Sequence, residues 1–426
     1  MDSAAHCGLR SRRHGQRRRR KSSHWSRVGV VGYPRRPGGS RREHHRPRGR
    51  QDNNGRDARF SLRCLAAPPA ASCVQLDTDD EVFRKPDIAS AAGDLLLIHM
   101  VVAVKGVYYM KYPHNFFVYK ADPDLPWALP LPPPRDVMVR PELTGIARRG
   151  EEFPVAHLMT WDVHDHAAMR RVEVAMVQLY SSATGRWETK RLAMPLDPDK
   201  GLDEFEWETD TVISFHGLVC WVDYHHGILY CDVFSPDPEL VFLRFPGIEM
   251  LPGSRRGIPT RYRTVSICCG RLKFVDVDNG QFWSTDSDDD DVSIGSEDDV
   301  CIEIDASGCS VRTWTLKMPE FEWEEEASLL LPELWSLPVF RDSALPRTVP
   351  TYPMVSLHEA DVLHFVLKGP GLFYEAWMIT VDMKTKLLRQ HMLYENPIEV
   401  DLINVFPECP MICSEIVKWP NISADS

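Results

Sequence analysis

Long apolar runs are missing from this 426-residue chain. No stretch approaches the roughly 20 consecutive apolar residues a membrane-spanning helix requires, so no membrane association is expected. No secretory h-region stands near Met1. Also missing are a Gly-rich phosphate loop, a GxSxG nucleophile elbow and an HExxH helix. The sequence therefore names no catalytic residue, no cofactor-binding residue and no metal-ligand set, and no cofactor is expected. Helical periodicity is scarce, with one short turn read between Pro332 and Phe340. Cysteine occurs eleven times, an odd count without regular spacing. Cys220, Cys231 and Cys268 lie inside apolar runs, where a thiol behaves as a small buried hydrophobe. Such usage points to a soluble protein of a reducing compartment, nuclear or cytoplasmic. Cys409 and Cys413 have no second pair to close a zinc site.

Charge is distributed unevenly. The formal net charge is −11, from 50 Lys and Arg against 61 Asp and Glu. Residues 1–50 hold 16 of the bases and 2 of the acids, leaving 34 bases against 59 acids in the rest. The body is thus strongly acidic, which excludes a nucleic-acid-binding domain of the usual basic kind. Residues 1–63, rich in Arg, Gly, Ser and His and including Arg17-Arg18-Arg19-Arg20-Lys21, read as a disordered basic arm. Any weak nucleic-acid contact belongs to this arm. The same composition suits a nuclear-import signal or an organelle-targeting segment, or a tail without an address.

What the chain has in quantity is strands. Phe215 to Pro246 contains three apolar runs separated by His225-His226-Gly227 and by Ser235-Pro236-Asp237-Pro238, a pattern of consecutive antiparallel strands. The same grammar of strand, turn and apolar return recurs around Val174–Trp187, Val300–Trp314 and Trp377–Leu388. The stretch itself also recurs: Gly217-x3-Trp221-Val222-Asp223-x3-Gly227 matches Gly270-x3-Phe274-Val275-Asp276-x3-Gly280 in spacing, 53 residues later. A worn third copy keeps Phe365, Val366 and Gly371. A period near fifty residues built from hairpins predicts an all-β fold of the β-propeller-like kind, a repeat of antiparallel blades, because one small sheet cannot bury both faces alone. The repeat core is therefore Gly217, Trp221, Asp223, Gly227, Gly270, Phe274, Asp276 and Gly280. One domain is expected over 74–418, with 419–426 as a tail. The seven prolines from Pro123 to Pro141 must be extended and at the surface, because proline cannot serve a central strand.

Some polar constellations deserve weighing. Asp223 and Asp276 each follow a valine and precede a turn, where an aspartate can accept hydrogen bonds from nearby backbone amides; paired catalytic carboxylates are the competing reading. His164 and His166 form an H-x-H that puts two imidazoles on one strand face, but no third ligand accompanies them. His225-His226 reads as turn chemistry. The acidic run Asp286–Asp299, within an expected disordered insertion at 285–299, has Asp291 where a calcium loop needs glycine. Its Ser287, Ser293 and Ser296 suit an acid-directed kinase.

Cys220-Trp-Val-Asp-Tyr-His-His-Gly-Ile-Leu-Tyr-Cys-Asp-Val233, with Leu243-Arg-Phe-Pro-Gly247, resembles the plant domain-of-unknown-function 1618 family, which is expanded in grasses. Gly93-Asp-Leu-Leu-Leu97, Phe117-Val-Tyr119, Trp187, Leu272-Lys-Phe-Val-Asp276, Trp314-Thr-Leu-Lys317, Leu334-Trp335 and Val381-Asp382-Met383 extend the likeness. The resemblance implies a propeller of the kind that follows F-box motifs, in a family without an established activity. No F-box-like helical segment precedes residue 74. The expected function is a non-enzymatic protein-interaction module, a recognition or regulatory subunit with an unidentified protein partner. The alternatives are an enzyme with a carboxylate- or metal-lined channel, and nucleic-acid binding through the arm.

Overall fold

The structure is a computed structural model. It describes the backbone at 22–27, 50–51, 57–63 and 73–78, and from 82 to 393 all residues except 105, 109–111, 121–126, 134–139, 166–169, 249–256, 280–307, 344, 357–358 and 370–375. The described residues form six four-stranded antiparallel sheets. Five are meanders whose strands neighbour one another in chain order. Sheet two holds β5 (Val82–Ala92), β6 (Leu95–Val102), β7 (His114–Lys120) and β8 (Trp127–Pro130). Sheet three holds β9 (Thr144–Ile146), β10 (Pro154–Asp165), β11 (Arg170–Ser181) and β12 (Arg186–Leu192). Sheet four holds β13 (Thr211–Phe215), β14 (Leu218–Asp223), β15 (Gly227–Cys231) and β16 (Val241–Arg244). Sheet five holds β17 (Arg263–Cys268), β18 (Arg271–Asp278), β19 (Ser310–Lys317) and β20 (Glu322–Leu330). Sheet six holds β21 (Thr351–Val355), β22 (Val362–Lys368), β23 (Ala376–Asp382) and β24 (Leu387–Leu393).

Sheet one has the order β1 (Ser22–Arg27), β4 (Cys73–Thr78), β3 (Asp57–Arg63), β2 (Arg50–Gln51). Three of its strands fall within the stretch expected to be an unstructured arm. The sequence pattern of β3 has the alternation a strand needs, and the register sets Phe60 opposite Leu76 and Leu62 opposite Val74. The remainder of 1–63, the acidic run with its three serines, and 394–426 with Cys409 and Cys413 lie outside the described residues.

Alternation along each second strand explains the stacking. Leu158 and Val177 of sheet three meet Trp221, Val219 and Leu229 of sheet four in one apolar cluster. The other face of sheet four sends Cys220, Val222 and Ile228 against Phe274, Leu272 and Trp314 of sheet five. Sheet five in turn sends Val275 and Val277 against Leu363, Phe365 and Leu367 of sheet six. Leu97 and Val118 meet Val155 and Tyr180 between sheets two and three. Strands buried on both faces read as continuous apolar runs, and here odd and even residues serve different neighbours. The aromatic of each repeat copy, Trp221, Phe274 and Phe365, faces the preceding sheet. This succession of stacked blades is propeller-like. The first strands of neighbouring blades touch: β1 with β5, β5 with β9, β9 with β13, and β17 with β21.

Glycine makes the closest approaches possible. A Cβ on Gly145 would lie 2.4 Å from Val212 Cγ1, so β9 meets sheet four backbone to side chain. The Pro-rich passage supplies β8, the outermost strand of its sheet, where the missing N–H of proline is harmless. The expected short turn at 332–340 is two helices, α1 (Leu331–Trp335) and α2 (Pro338–Asp342), each with a proline in its first turn. Among the described residues, no helix is long and apolar enough to cross a membrane.

Candidate functional site

The polar groups of the repeat core gather where the second strands end. Asp223 closes β14, and the turn Tyr224-His225-His226 leads into Gly227 of β15. Asp223 is fully buried. Its Oδ1 accepts the His225 backbone N–H at 2.9 Å, the local turn bond an aspartate at this position makes. Its Oδ2 accepts the Glu208 backbone N–H at 2.8 Å and faces His226 Nδ1 at 3.0 Å. His226 Nε2 faces Glu206 Oε2 at 3.6 Å. The next residue, Tyr224, donates its N–H to Asp210 Oδ2 at 2.8 Å.

Asp276 has the same place in the repeat spacing and a different task. The register puts Arg263 of β17 and Arg312 of β19 on either side of it. Arg263 Nε donates to its Oδ1 at 2.8 Å, and Arg312 Nη2 approaches its Oδ2 at 3.4 Å. Arg263 Nη1 also donates to the Tyr224 carbonyl at 2.8 Å, joining the sheet-five corner to the sheet-four turn. Tyr224 returns the link: its hydroxyl accepts the Val265 N–H at 3.2 Å. The two repeat aspartates are therefore a turn anchor and a partner of two arginines.

The glycines differ as well. Gly217 and Gly270 lie in the first hairpin of their sheets with φ of +83° and +77°, a region that glycine occupies without steric cost. Gly227 is held by space instead: a Cβ there would sit 2.2 Å from the Leu243 carbonyl oxygen. Gly280 lies outside the described residues. Trp221 is fully buried and donates its indole N–H to the Leu143 carbonyl at 2.9 Å, while Phe274 stacks on Phe245 with centroids 4.1 Å apart. Of the H-x-H candidate, His164 is exposed on β10 and His166 lies outside the described residues. No group of three or more His, Cys, Asp or Glu side chains with metal-holding geometry occurs among the described residues. Two other histidines, His157 and His364, are buried within sheets, where desolvation pushes their pKa values down to about 4.

The sequence reading passed over the segment that joins sheets three and four, Asp203-Glu-Phe-Glu-Trp-Glu208. Leu202, fully buried, exchanges backbone hydrogen bonds with Asp197 at 3.0 Å each way and fixes one end. Trp207 is buried in the cluster between the two sheets and fixes the other. Between them Phe205 stands 46% exposed, at φ +69°. Its N–H is taken by the buried Glu173 Oε2 at 2.8 Å, just as the Glu208 N–H is taken by Asp223. The alternation of acid and aromatic suggests a strand with both rings on one face. A positive φ at Phe205 breaks that alternation, so one ring goes in and the other out. Four acids interleaved with two rings in six residues were the signal available in the sequence.

Residues 221–364 match the family model described as "Protein of unknown function (DUF1618)". Over that stretch the chain is similar to the DUF1618 family. The DUF1618 region thus begins at Trp221 and takes in the Asp223 turn, the Asp276 corner and most of sheets four and five. No curated protein matches the chain. Among solved structures, a putative 6-phosphogluconolactonase from Bacteroides uniformis is similar at 10% identity and a TM-score of 0.34, covering 88% of this chain and 83% of its own. Dihydro-heme d1 dehydrogenase is similar at 10% identity and a TM-score of 0.31, over 82% of this chain and 66% of its own. An apocarotenoid oxygenase of Synechocystis is similar at 7% identity and a TM-score of 0.28, over 88% and 81%. Likenesses at these scores carry no argument about function.

Proposed function

We propose that this protein is a non-enzymatic protein-interaction module, a recognition or regulatory subunit, and that the loop 203–210 is part of its contact surface. The observation that carries the reading is Phe205: an exposed ring on a loop tied down at both ends. Leu202 and Trp207 are buried on either side, and buried carboxylates hold the Phe205 and Glu208 amides. Ordering a loop before binding lowers the entropy cost of association, and aromatic anchors dominate interface energies. The ring is flanked in sequence by Asp203, Glu204, Glu206 and Glu208, so the partner offers a basic segment beside an apolar pocket. The carboxylates that an enzyme would use, Asp223 and Asp276, are engaged by backbone amides and arginines, which favours scaffold over catalysis.

The test is a quantitative pull-down with the full-length chain and with Phe205→Ala. The ring is exposed and its loop is fixed from elsewhere, so the variant should keep the wild-type unfolding midpoint. The expected result is a stoichiometric partner whose binding weakens at least about tenfold in Phe205→Ala and falls with added salt. A partner held equally by both proteins would move the interface to another surface. A full-length chain that holds no partner and turns over a small molecule would end the non-enzymatic reading.

A further inference from the structure

Cys268 and Cys269 are neighbours at the first hairpin of sheet five. Cys268 ends β17 and is 1% exposed; Cys269 is exposed in the turn that leads to β18. Their Sγ atoms lie 3.7 Å apart. The turn has two central residues, Cys269 at φ +51° and Gly270 at φ +77°, the backbone of a type I′ hairpin. The equivalent turn of sheet four has His216 at +50° and Gly217 at +83°. His216 Nε2 lies 3.2 Å from the Gly270 carbonyl, so the two turns touch. One thiol of the pair is open to solvent and the other sits directly behind it.

We propose that Cys268 and Cys269 form a vicinal dithiol site that small-molecule disulfides oxidise reversibly. The Cys269 thiolate attacks one sulfur of the reagent, forming a mixed disulfide and releasing the other half as a thiolate. The Cys268 sulfur then attacks Cys269 Sγ, its proton passing to the second departing thiolate. Two protein thiols and one disulfide become one protein disulfide and two small thiols, so atoms and electrons balance. Burial, with the contact to Cys269, pushes the Cys268 thiol up to about 12, which suits a resolving sulfur rather than an entry point. Consecutive Cα atoms are about 3.8 Å apart, short of the roughly 4.4–6.8 Å that ordinary disulfides span. A ring closed between neighbours is therefore easily reduced, the property of a labile rather than a structural disulfide. Closure acts on the turn that His216 contacts, and so on the seam between sheets four and five.

The experiment uses the full-length chain, reduced, freed of reductant and incubated with oxidised glutathione. It is then blocked with iodoacetamide and digested with trypsin, which releases residues 264–271 as one peptide carrying both sulfurs. The expected product is that peptide two hydrogens lighter, unalkylated, and returned to a doubly alkylated form by dithiothreitol treatment before blocking. Two alkylated sulfurs without dithiothreitol, or a glutathione adduct that persists on the wild-type peptide, would overturn the proposal. Cys268→Ser should accumulate the stable adduct on Cys269, and Cys269→Ser should leave Cys268 unmodified. An adduct on Cys268 in the second variant would refute the assigned order of attack. The wild-type peptide decides the main question even where a variant fails to fold.

Discussion

The Asp223 turn of sheet four and the Asp276 corner of sheet five share sequence spacing and differ in everything the carboxylate does. Asp223 is held by two backbone amides and an imidazole, one amide from its own turn and the other from the loop that enters the sheet. Asp276 is held by side chains alone, from the strands on either side. The repeat thus preserves the position of a buried carboxylate rather than a mechanism. The difference also separates energies. Loss of Asp223 leaves backbone donors buried without acceptors, and they cannot move away. Loss of Asp276 leaves arginines with partly exposed side chains, 22% and 30%, which can turn to water.

The largest effect is expected from Gly227, which fixes the far side of the Asp223 turn. Gly227→Ala drives a methyl to within 2.2 Å of a carbonyl oxygen in the paired strand, and a destabilisation of about 3–4 kcal/mol is expected. Gly270→Ala meets nothing within 4 Å and has only the positive φ to overcome, a cost of about 1–2 kcal/mol. Urea unfolding of both variants measures the gap. Equal midpoints would mean that the close approach at Gly227 relaxes freely.

Asp223→Ala comes next, at about 3 kcal/mol, against about 1–2 kcal/mol for Asp276→Ala. The same melts should show Asp223→Asn between them, because the amide oxygen still accepts one backbone bond. An Asp276→Ala loss as large as that of Asp223→Ala would show that the arginines are as trapped as the amides. An unchanged Asp223→Asn melt would remove the turn anchor altogether.

Much of this was legible in the sequence, and the boundary is instructive. Trp221, Phe274 and Phe365 reveal the blades because a strand covered on both faces must be apolar throughout, and hairpin glycines must punctuate it. Asp223 was legible as a turn group, since the residue type and the following turn point to nearby backbone amide donors; the same reading of Asp276 fails, because its carboxylate accepts from arginines instead. The partners of Asp276 were not legible. Arg263 is 13 positions upstream and Arg312 is 36 downstream, and only the register brings them together. Phe205 was hidden for a related reason: alternation put it beside Trp207, and a single left-handed backbone angle reversed it.

Asp382 of sheet six combines both solutions. Its Oδ1 accepts the Thr385 backbone N–H at 2.8 Å, as Asp223 accepts the amides of its turn, and its Oδ2 accepts Arg389 Nε at 3.0 Å, as Asp276 accepts its arginines. The backbone bond, with the guanidinium beside it, holds the Asp382 carboxyl at about 2, below the ordinary 3.8. A carboxylate with a depressed folded pKa stabilises fully above its unfolded value and loses that contribution as pH falls through the folded value. Asp382→Asn should therefore cost about 2 kcal/mol at neutral pH, and the gap to wild type should narrow below the ordinary value and be mostly closed near the folded one. Arg389→Ala separates the two solutions. If most of the pH-dependent gap survives without the guanidinium, the backbone bond is the stronger hold, as the Asp223 turn implies; if it disappears, the ion pair dominates, and the Asp276 corner is the better guide to how these blades fasten their ends.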